Sequence, residues 1–87
     1  MKFTVVWSRT AEAELASRWM ASANRGEVSR AALAIDRQLQ RDPDTKGESR
    51  SHGPRILLVP PLGVTFSVSV EDRKVEVLDV WEFAGVA

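Results

Sequence analysis

The stretch Gly63-Val64-Thr65-Phe66-Ser67-Val68-Ser69-Val70 decides the fold of this 87-residue chain. It alternates between two classes of residue, with Val64, Phe66, Val68 and Val70 in the apolar phase and Thr65, Ser67 and Ser69 in the polar phase. A period of two residues is typical of a β-strand with one buried face and one solvated face. The sequence therefore predicts a sheet whose apolar face must be covered by a second layer.

Two helical patterns precede this strand and would supply that layer. From Arg9 to Ala23 an apolar residue recurs at every fourth position, with Met20 widening the stripe formed by Ala11, Leu15, Trp19 and Ala23. From Glu27 to Arg41 one face carries the residues Val28, Ala31, Ala32, Ile35 and Leu39. Both spacings are typical of amphipathic helices. Because only residues 24–26 separate them, we predict an antiparallel helical hairpin.

The flanking residues mark where these helices begin and end. Ser8 is a good N-cap for the first helix, since its hydroxyl can accept a hydrogen bond from a free backbone N–H group. Asp42-Pro43 ends the second helix, because the residue before a proline avoids the helical region. The polar segment 44–53 has no periodicity and is interpreted as a loop.

Three further segments have strand character. Phe3–Trp7 and Arg55–Val59 are rich in β-branched and large apolar residues, and the prolines and glycine of residues 60–63 favour a turn before the alternating strand. Val75–Phe83 has apolar residues in both phases, which indicates a central strand that would pair with the first strand. Asp79 interrupts it, and two interpretations stay open: a buried or functional carboxylate, or an exposed strand end.

The predicted architecture is a single α+β domain spanning residues 1–87. Its order is β-α-α-β-β-β: an N-terminal strand, an antiparallel helical hairpin, and then a three-stranded antiparallel meander. The helices pack on one face of the sheet, and the other face is left free for a larger partner.

Composition excludes several classes of function. The chain has no cysteine and a single histidine, so we expect no disulfide, no thiolate or histidine-rich metal site, and no cofactor. Twelve Lys and Arg residues balance twelve Asp and Glu residues, which argues against strong non-specific nucleic-acid binding. The N-terminus lacks the pattern of a signal peptide, and no apolar stretch has the length of a membrane span. We therefore expect a cytoplasmic protein without membrane contact.

One cluster of polar residues is a candidate for chemistry. Glu48, Arg50, His52 and Arg55 fall within eight positions of one another. In one interpretation they form a phosphate or RNA contact site in which Glu48 or His52 moves a proton. In the other they belong to a solvated loop followed by one surface arginine.

Two further pairs are candidates for binding. Arg73 and Lys74 add positive charge at the last hairpin, either for RNA contact or for solubility. Trp81 and Phe83, near the end of the last strand, are candidates for an exposed apolar patch that binds a protein partner.

Several local features occur together in a recognisable order. They are Val6-Trp7-Ser8 followed by Ala11 and Leu15, Ile35 through Leu39 to Asp42-Pro43, Gly47 followed by Pro54-Arg55, and Asp72-Arg73 before Val75-Glu76-Val77-Leu78. In this order and at this length the chain resembles the RelE/ParE superfamily, the toxin half of type II toxin–antitoxin pairs. The resemblance covers nearly the whole chain.

The resemblance implies a toxin that is neutralised by a cognate antitoxin. One branch of the superfamily enters the ribosomal A site and cuts mRNA, and the other poisons DNA gyrase. The cutting branch uses lysines and arginines on the sheet, because positioned cations stabilise the charge that develops on the cleaved phosphate. By resemblance, Arg55 matches the basic residue at the start of the second strand, and Glu48 matches a general-base glutamate found in some members.

Other parts of the cutting branch's residue set are absent. Many family members have an arginine at the start of the third strand, and the matching position here is near Gly63 or Val64. The basic pair that usually follows the fourth strand in the family matches residues 81–83, which are not basic here. The chain also contains no tyrosine. Endoribonuclease activity and gyrase inhibition therefore both stay open. The alternative is a non-toxic member of the same fold that serves as a protein-binding module.

Overall fold

The computed structural model describes residues 2–41 and 54–83. The elements follow the predicted order, as β1 (Thr4–Trp7), α1 (Arg9–Ala21), α2 (Arg25–Arg41), β2 (Arg55–Val59), β3 (Leu62–Ser69) and β4 (Lys74–Glu82). The predicted α+β class and element order are therefore confirmed. Neither described helix is long and apolar enough to cross a membrane.

The four strands form one mixed sheet in the order β1-β4-β3-β2. β2, β3 and β4 pair antiparallel, as the predicted meander requires. β1 pairs parallel with β4, with Thr4 opposite Lys74 and Trp7 opposite Val77. The prediction that β4 is central and adjoins the first strand is thus confirmed.

The core lies between one face of the sheet and the two helices. Val64 and Phe66 of the alternating stretch are completely buried, and Val68 packs against the same cluster. The helices contribute Ala11, Val28, Ala31, Ile35 and Leu39 to it. Val70 departs from the prediction, because β3 ends at Ser69 and Val70 begins the turn, where its side chain is 59% exposed.

The first helix is shorter than predicted, and its apolar stripe is only partly buried. It ends at Ala21, so Ala23 lies in the connection between the helices. Asn24 begins the second helix early, because its side-chain oxygen accepts a hydrogen bond from the Glu27 N–H at 3.2 Å. Trp19 and Met20, at the end of α1, are 41% and 67% exposed.

A β-bulge in β4 explains why this strand is apolar in both phases. Thr65 pairs with Asp79 and Phe66 pairs with Val77, so Leu78 is an extra residue on β4. The bulge resets the alternation, and Val75, Val77 and Val80 all face the core. Asp79 is exposed, so it is not a buried carboxylate, but it lies in mid-strand and not at the predicted strand end.

The first turns of α1 and its N-cap bond backbone groups of β4 that lie beyond the last β1–β4 pair, Trp7–Val77. The Ser8 hydroxyl donates to the Leu78 carbonyl at 3.1 Å and also accepts from the Ala11 N–H, which confirms Ser8 as the N-cap. The Val80 N–H donates to the Glu14 carboxylate at 3.1 Å. The start of α1 is therefore fixed to the centre of the sheet by side-chain hydrogen bonds as well as by packing.

Candidate functional site

A groove of about 570 Å³ separates the two helices. Its walls are mostly apolar, and the residues that line it are Trp7, Glu12, Leu15, Ala16, Trp19, Val28, Ser29, Ala32, Leu33 and Asp36. Trp19 and Leu33 are the most open of its large side chains, at 41% and 50% exposure. An apolar groove between two helices is suited to hold the apolar side chains of a partner segment.

Hydrogen bonds hold both indole rings of the groove in place. The Trp7 indole N–H donates to Asp36 at 3.4 Å, and the Gln40 amide donates to the other Asp36 oxygen at 2.8 Å. The Trp19 indole N–H donates to the Ser29 hydroxyl at 3.0 Å. The walls are therefore pre-organised, which lowers the ordering cost of binding.

Arg25 fixes the end of α1 beside the groove. Its guanidinium carbon lies 4.7 Å from the centre of the Trp19 ring, within the range of a cation–π contact. The same guanidinium donates to the backbone carbonyls of Trp19 and Met20, each at 3.2 Å. One side chain thus closes the helix end and supports the exposed indole.

The charges at the groove are acidic. Glu12 on α1 and Asp36 on α2 line opposite walls, and within residues 2–41 and 54–83 no lysine or arginine lines the cavity. A partner that combines apolar residues with lysine or arginine would match this surface in both shape and charge.

Sequence reasoning missed this groove. The signal was Leu33, which lies outside the stripe formed by Val28, Ala31, Ile35 and Leu39 and so had no assigned role in the core. A large apolar residue away from the buried face of a helix is informative only when a second element brings others beside it.

The structure places the predicted basic residues on different faces. Arg55 begins the edge strand β2, and strand alternation puts it on the side of the buried Leu57, toward the helices. Its side chain is half-buried and has an interaction partner. Lys74 alternates with the buried Val75 and so belongs to the open face.

Arg73 and Lys74 also lie some distance from Arg55 along the sheet. Arg55 pairs with Phe66, whereas Lys74 pairs with Ser69, three positions further along β3. Arg73 has a positive φ of 49° in the turn before β4. The described cations of the predicted site are therefore not gathered around one point. Glu48, Arg50 and His52 lie outside the described residues.

Trp81 and Phe83 are half-buried, and Trp19 is the most exposed tryptophan. Trp81 is half-buried because its indole lies against Gly63, with which Trp81 pairs across β3 and β4. The indole lies so close to this glycine that a Cβ atom there would be 2.6 Å from the Trp81 Cε2 atom. On the open face of the sheet, the Trp81 indole therefore packs against the β3 backbone at Gly63.

Comparison with solved structures finds eleven similar chains, and three of them are described here. A chain of the RelBE2 toxin–antitoxin complex from Mycobacterium tuberculosis matches with a TM-score of 0.76 and 19% identity, over 98% of this chain and 95% of that one. A chain of the chromosomal ParDE system from P. aeruginosa matches with a TM-score of 0.66 and 19% identity, over 95% and 98%. A chain of the intact E. coli RelBE complex matches with a TM-score of 0.53 and 12% identity, over 97% and 99%.

These likenesses concern the fold. The chain shares its fold with these chains of RelBE and ParDE complexes, which agrees with the sequence resemblance, and the match extends over nearly its whole length. No protein-family model matches the sequence. The search of curated proteins finds no match either.

Proposed function

We propose that this protein is the toxin of a type II toxin–antitoxin pair and that a cognate antitoxin neutralises it. The observation that carries the proposal is the likeness to the RelBE2 complex chain, at a TM-score of 0.76 over 98% of this chain. Similar chains in two further toxin–antitoxin complexes support it. Expression of the chain alone should arrest growth of a host cell, and co-expression of the neighbouring gene should restore it. Normal growth on expression of the folded chain would contradict the proposal.

The groove between α1 and α2 is the proposed docking site for the antitoxin. It offers apolar walls around Trp19 and Leu33, fixed indole rings, and the two carboxylates of Glu12 and Asp36. An antitoxin segment with apolar side chains and at least one lysine or arginine fits this chemistry. Burial of the apolar side chains would supply affinity, and the cations would set register and orientation.

Leu33→Glu tests this docking site. Leu33 is 50% exposed, so a carboxylate there stays in water in the free protein, whereas in the complex it would be buried beside Glu12 and Asp36. We expect the variant to arrest growth as the unchanged chain does, while its affinity for the antitoxin falls at least about tenfold, since the carboxylate loses its water on burial and lies beside two like charges. Pull-down and calorimetric titration with the co-expressed antitoxin measure the loss.

Met20→Glu is the matched control. Met20 is 67% exposed on α1 and does not line the groove, so the same change of charge should leave antitoxin binding as it was. Equal affinity for all three proteins would remove the groove from the proposal. Equal loss in both variants would point to net charge instead of local contact.

The target within the cell is either translation or DNA gyrase. The separation of Arg55 from Arg73 and Lys74 on the sheet supports the gyrase branch, which does not need a nuclease set. Ribosome-dependent mRNA cleavage by the purified chain would instead favour translation. In that case cleavage should fall on substitution of both Glu48 and Arg55 by alanine, and unchanged cleavage would exclude these two residues as the catalytic pair.

The alternative function is a non-toxic protein-binding module on the same scaffold. The pre-organised groove supports it equally, because docking of a partner requires no catalytic group. Growth tests separate the two functions, because a binding module would bind the protein encoded by the neighbouring gene and leave host growth unchanged.

A further inference from the structure

A second cavity, distinct from the helical groove, is lined by positive charge. It has a volume of about 420 Å³ and lies where the N-terminal segment meets the last turns of α2. Lys2, Arg37 and Arg41 line it together with Gln38 and Gln40. Of the predicted site residues that the structure describes, none lines it.

Long-range backbone pairing builds this cluster. Arg37 and Arg41 are four residues apart on α2, so they lie on one face of the helix, roughly 6 Å apart along its axis. The Phe3 N–H donates to the Gln40 carbonyl at 2.8 Å, which fixes the chain next to Lys2 against the same turn. Three cations from two distant parts of the sequence thus line one cavity.

These three cations have no carboxylate to neutralise them within the described residues. All three are exposed, and their side chains make no hydrogen bond or ion pair with the part of the chain that the structure describes. Two like charges at this helical spacing repel each other, although the helix C-terminus offsets part of that repulsion. In a chain with a formal net charge of zero, such a concentration of one sign is a local feature of the surface.

We propose that this cluster binds consecutive phosphate groups of a nucleic-acid backbone. The cations are exposed and not enclosed, so they suit a ligand that presents its charges from outside and along a line. Two arginines can donate in parallel to phosphate oxygens, and Lys2 adds a third, flexible charge. Among the described residues, this site shares no lining residue with the groove proposed for the antitoxin.

The test is the salt dependence of binding to labelled single-stranded RNA and to labelled duplex DNA. The unchanged chain should bind at least one of them, with an affinity that falls steeply as salt rises. In the double variant Arg37→Ala/Arg41→Ala the affinity at about 50 mM salt should fall at least about tenfold. The slope of log K against log salt should shrink by about 1.4 for a single strand or about 1.8 for duplex DNA, because two counterion-releasing contacts are lost. Circular dichroism of both proteins confirms that the fold is retained.

Two controls make the result specific. Arg9→Ala removes an exposed cation that lies beyond the other end of β1 and does not line the cavity, so it should leave affinity and slope unchanged. Arg37→Lys/Arg41→Lys keeps both charges and should keep the slope. The proposal is overturned if the unchanged chain binds neither nucleic acid, if the alanine double variant binds as well as the unchanged chain, or if Arg9→Ala causes an equal loss.

The two nucleic acids distinguish the source of the phosphates. Preferential loss of RNA binding assigns the site to an RNA ligand, and preferential loss of DNA binding assigns it to DNA. Because binding is measured with purified protein, its failure is distinct from failure of the growth test on which the toxin proposal depends.

Discussion

At the scale of single residues, Gly63 shows how one missing side chain shapes the open face of the sheet. Its nearest neighbours are the atoms of the Trp81 indole, and a Cβ atom would lie 2.6–2.7 Å from three of them. The sequence places Gly63 in a turn, where its conformational freedom would matter. In the structure Gly63 is a strand residue, and its lack of a side chain leaves room for the Trp81 ring.

Gly63→Ala should therefore destabilise the protein. The methyl group forces the indole off its position, and overpacking of this kind typically costs about 1–3 kcal/mol. Urea unfolding followed by circular dichroism measures the loss. In the Trp81→Ala background the same substitution should cost much less, since the clashing ring is gone, and equal cost in both backgrounds would show that the contact is not the cause.

Gly26→Ala is the matched control for this substitution. Gly26 lies in α2, and a Cβ there would have its nearest contact at 3.5 Å, an ordinary van der Waals distance. Alanine is also the better helix former by about 0.8–1 kcal/mol. The same chemical change should thus leave stability equal or higher at Gly26 and lower it at Gly63.

At the scale of elements, the bulge in β4 and the first turns of α1 depend on each other. The Val80 residue is 1% exposed, and its N–H donates to Glu14. The sequence indicated a strand with two apolar phases but not the extra residue that reconciles them. The bulge is visible only once β3 and β4 are paired, because it is a difference in length between two strands.

Glu14→Ala should destabilise the protein by about 1–3 kcal/mol, the cost of leaving a buried N–H group without a partner. Glu14→Gln keeps an acceptor oxygen at the same place and should recover most of the loss. Both values come from urea unfolding. If the alanine and glutamine variants both have the same urea midpoint as the unchanged chain, the hydrogen bond to Val80 contributes nothing to stability.

At the scale of the whole molecule, the two proposed surfaces are separate. Among the described residues, the acidic, apolar groove and the basic cavity share no lining residue. They are nevertheless neighbours on α2, because Leu33 of the groove lies one helical turn before Arg37 of the cavity, and the Gln40 amide donates to Asp36 at 2.8 Å. One small domain can in this way present opposite charges to two kinds of partner.

The different linings predict different effects. Leu33→Ala should weaken antitoxin binding and leave nucleic-acid affinity unchanged, because it removes an apolar contact without placing a charge one turn before Arg37, whereas Arg37→Ala/Arg41→Ala should do the reverse. The triple variant should show each loss in its own titration. Titration of each variant with the antitoxin and with labelled nucleic acid gives all the values. Loss of both activities in either parent variant would mean that the surfaces are coupled.

The sequence by itself determined the strands, the helices and their order, because period and capping are local properties of the chain. The alternation from Val64 to Val68 and the stripe from Val28 to Leu39 each identified their buried face correctly. The Ser8 cap was also readable, since the cap and the N–H that it serves are three residues apart.

Only the tertiary structure decided where the candidate surfaces lie. The groove brings Trp19 beside Leu33, and the basic cavity brings Lys2 beside Arg37. No sequence pattern links the two residues of either pair. Such sites depend on the crossing of helices and on backbone bonds such as that from Phe3 to Gln40. The physical reason is that periodicity records which face of an element is buried, whereas a site is made where the exposed faces of different elements meet.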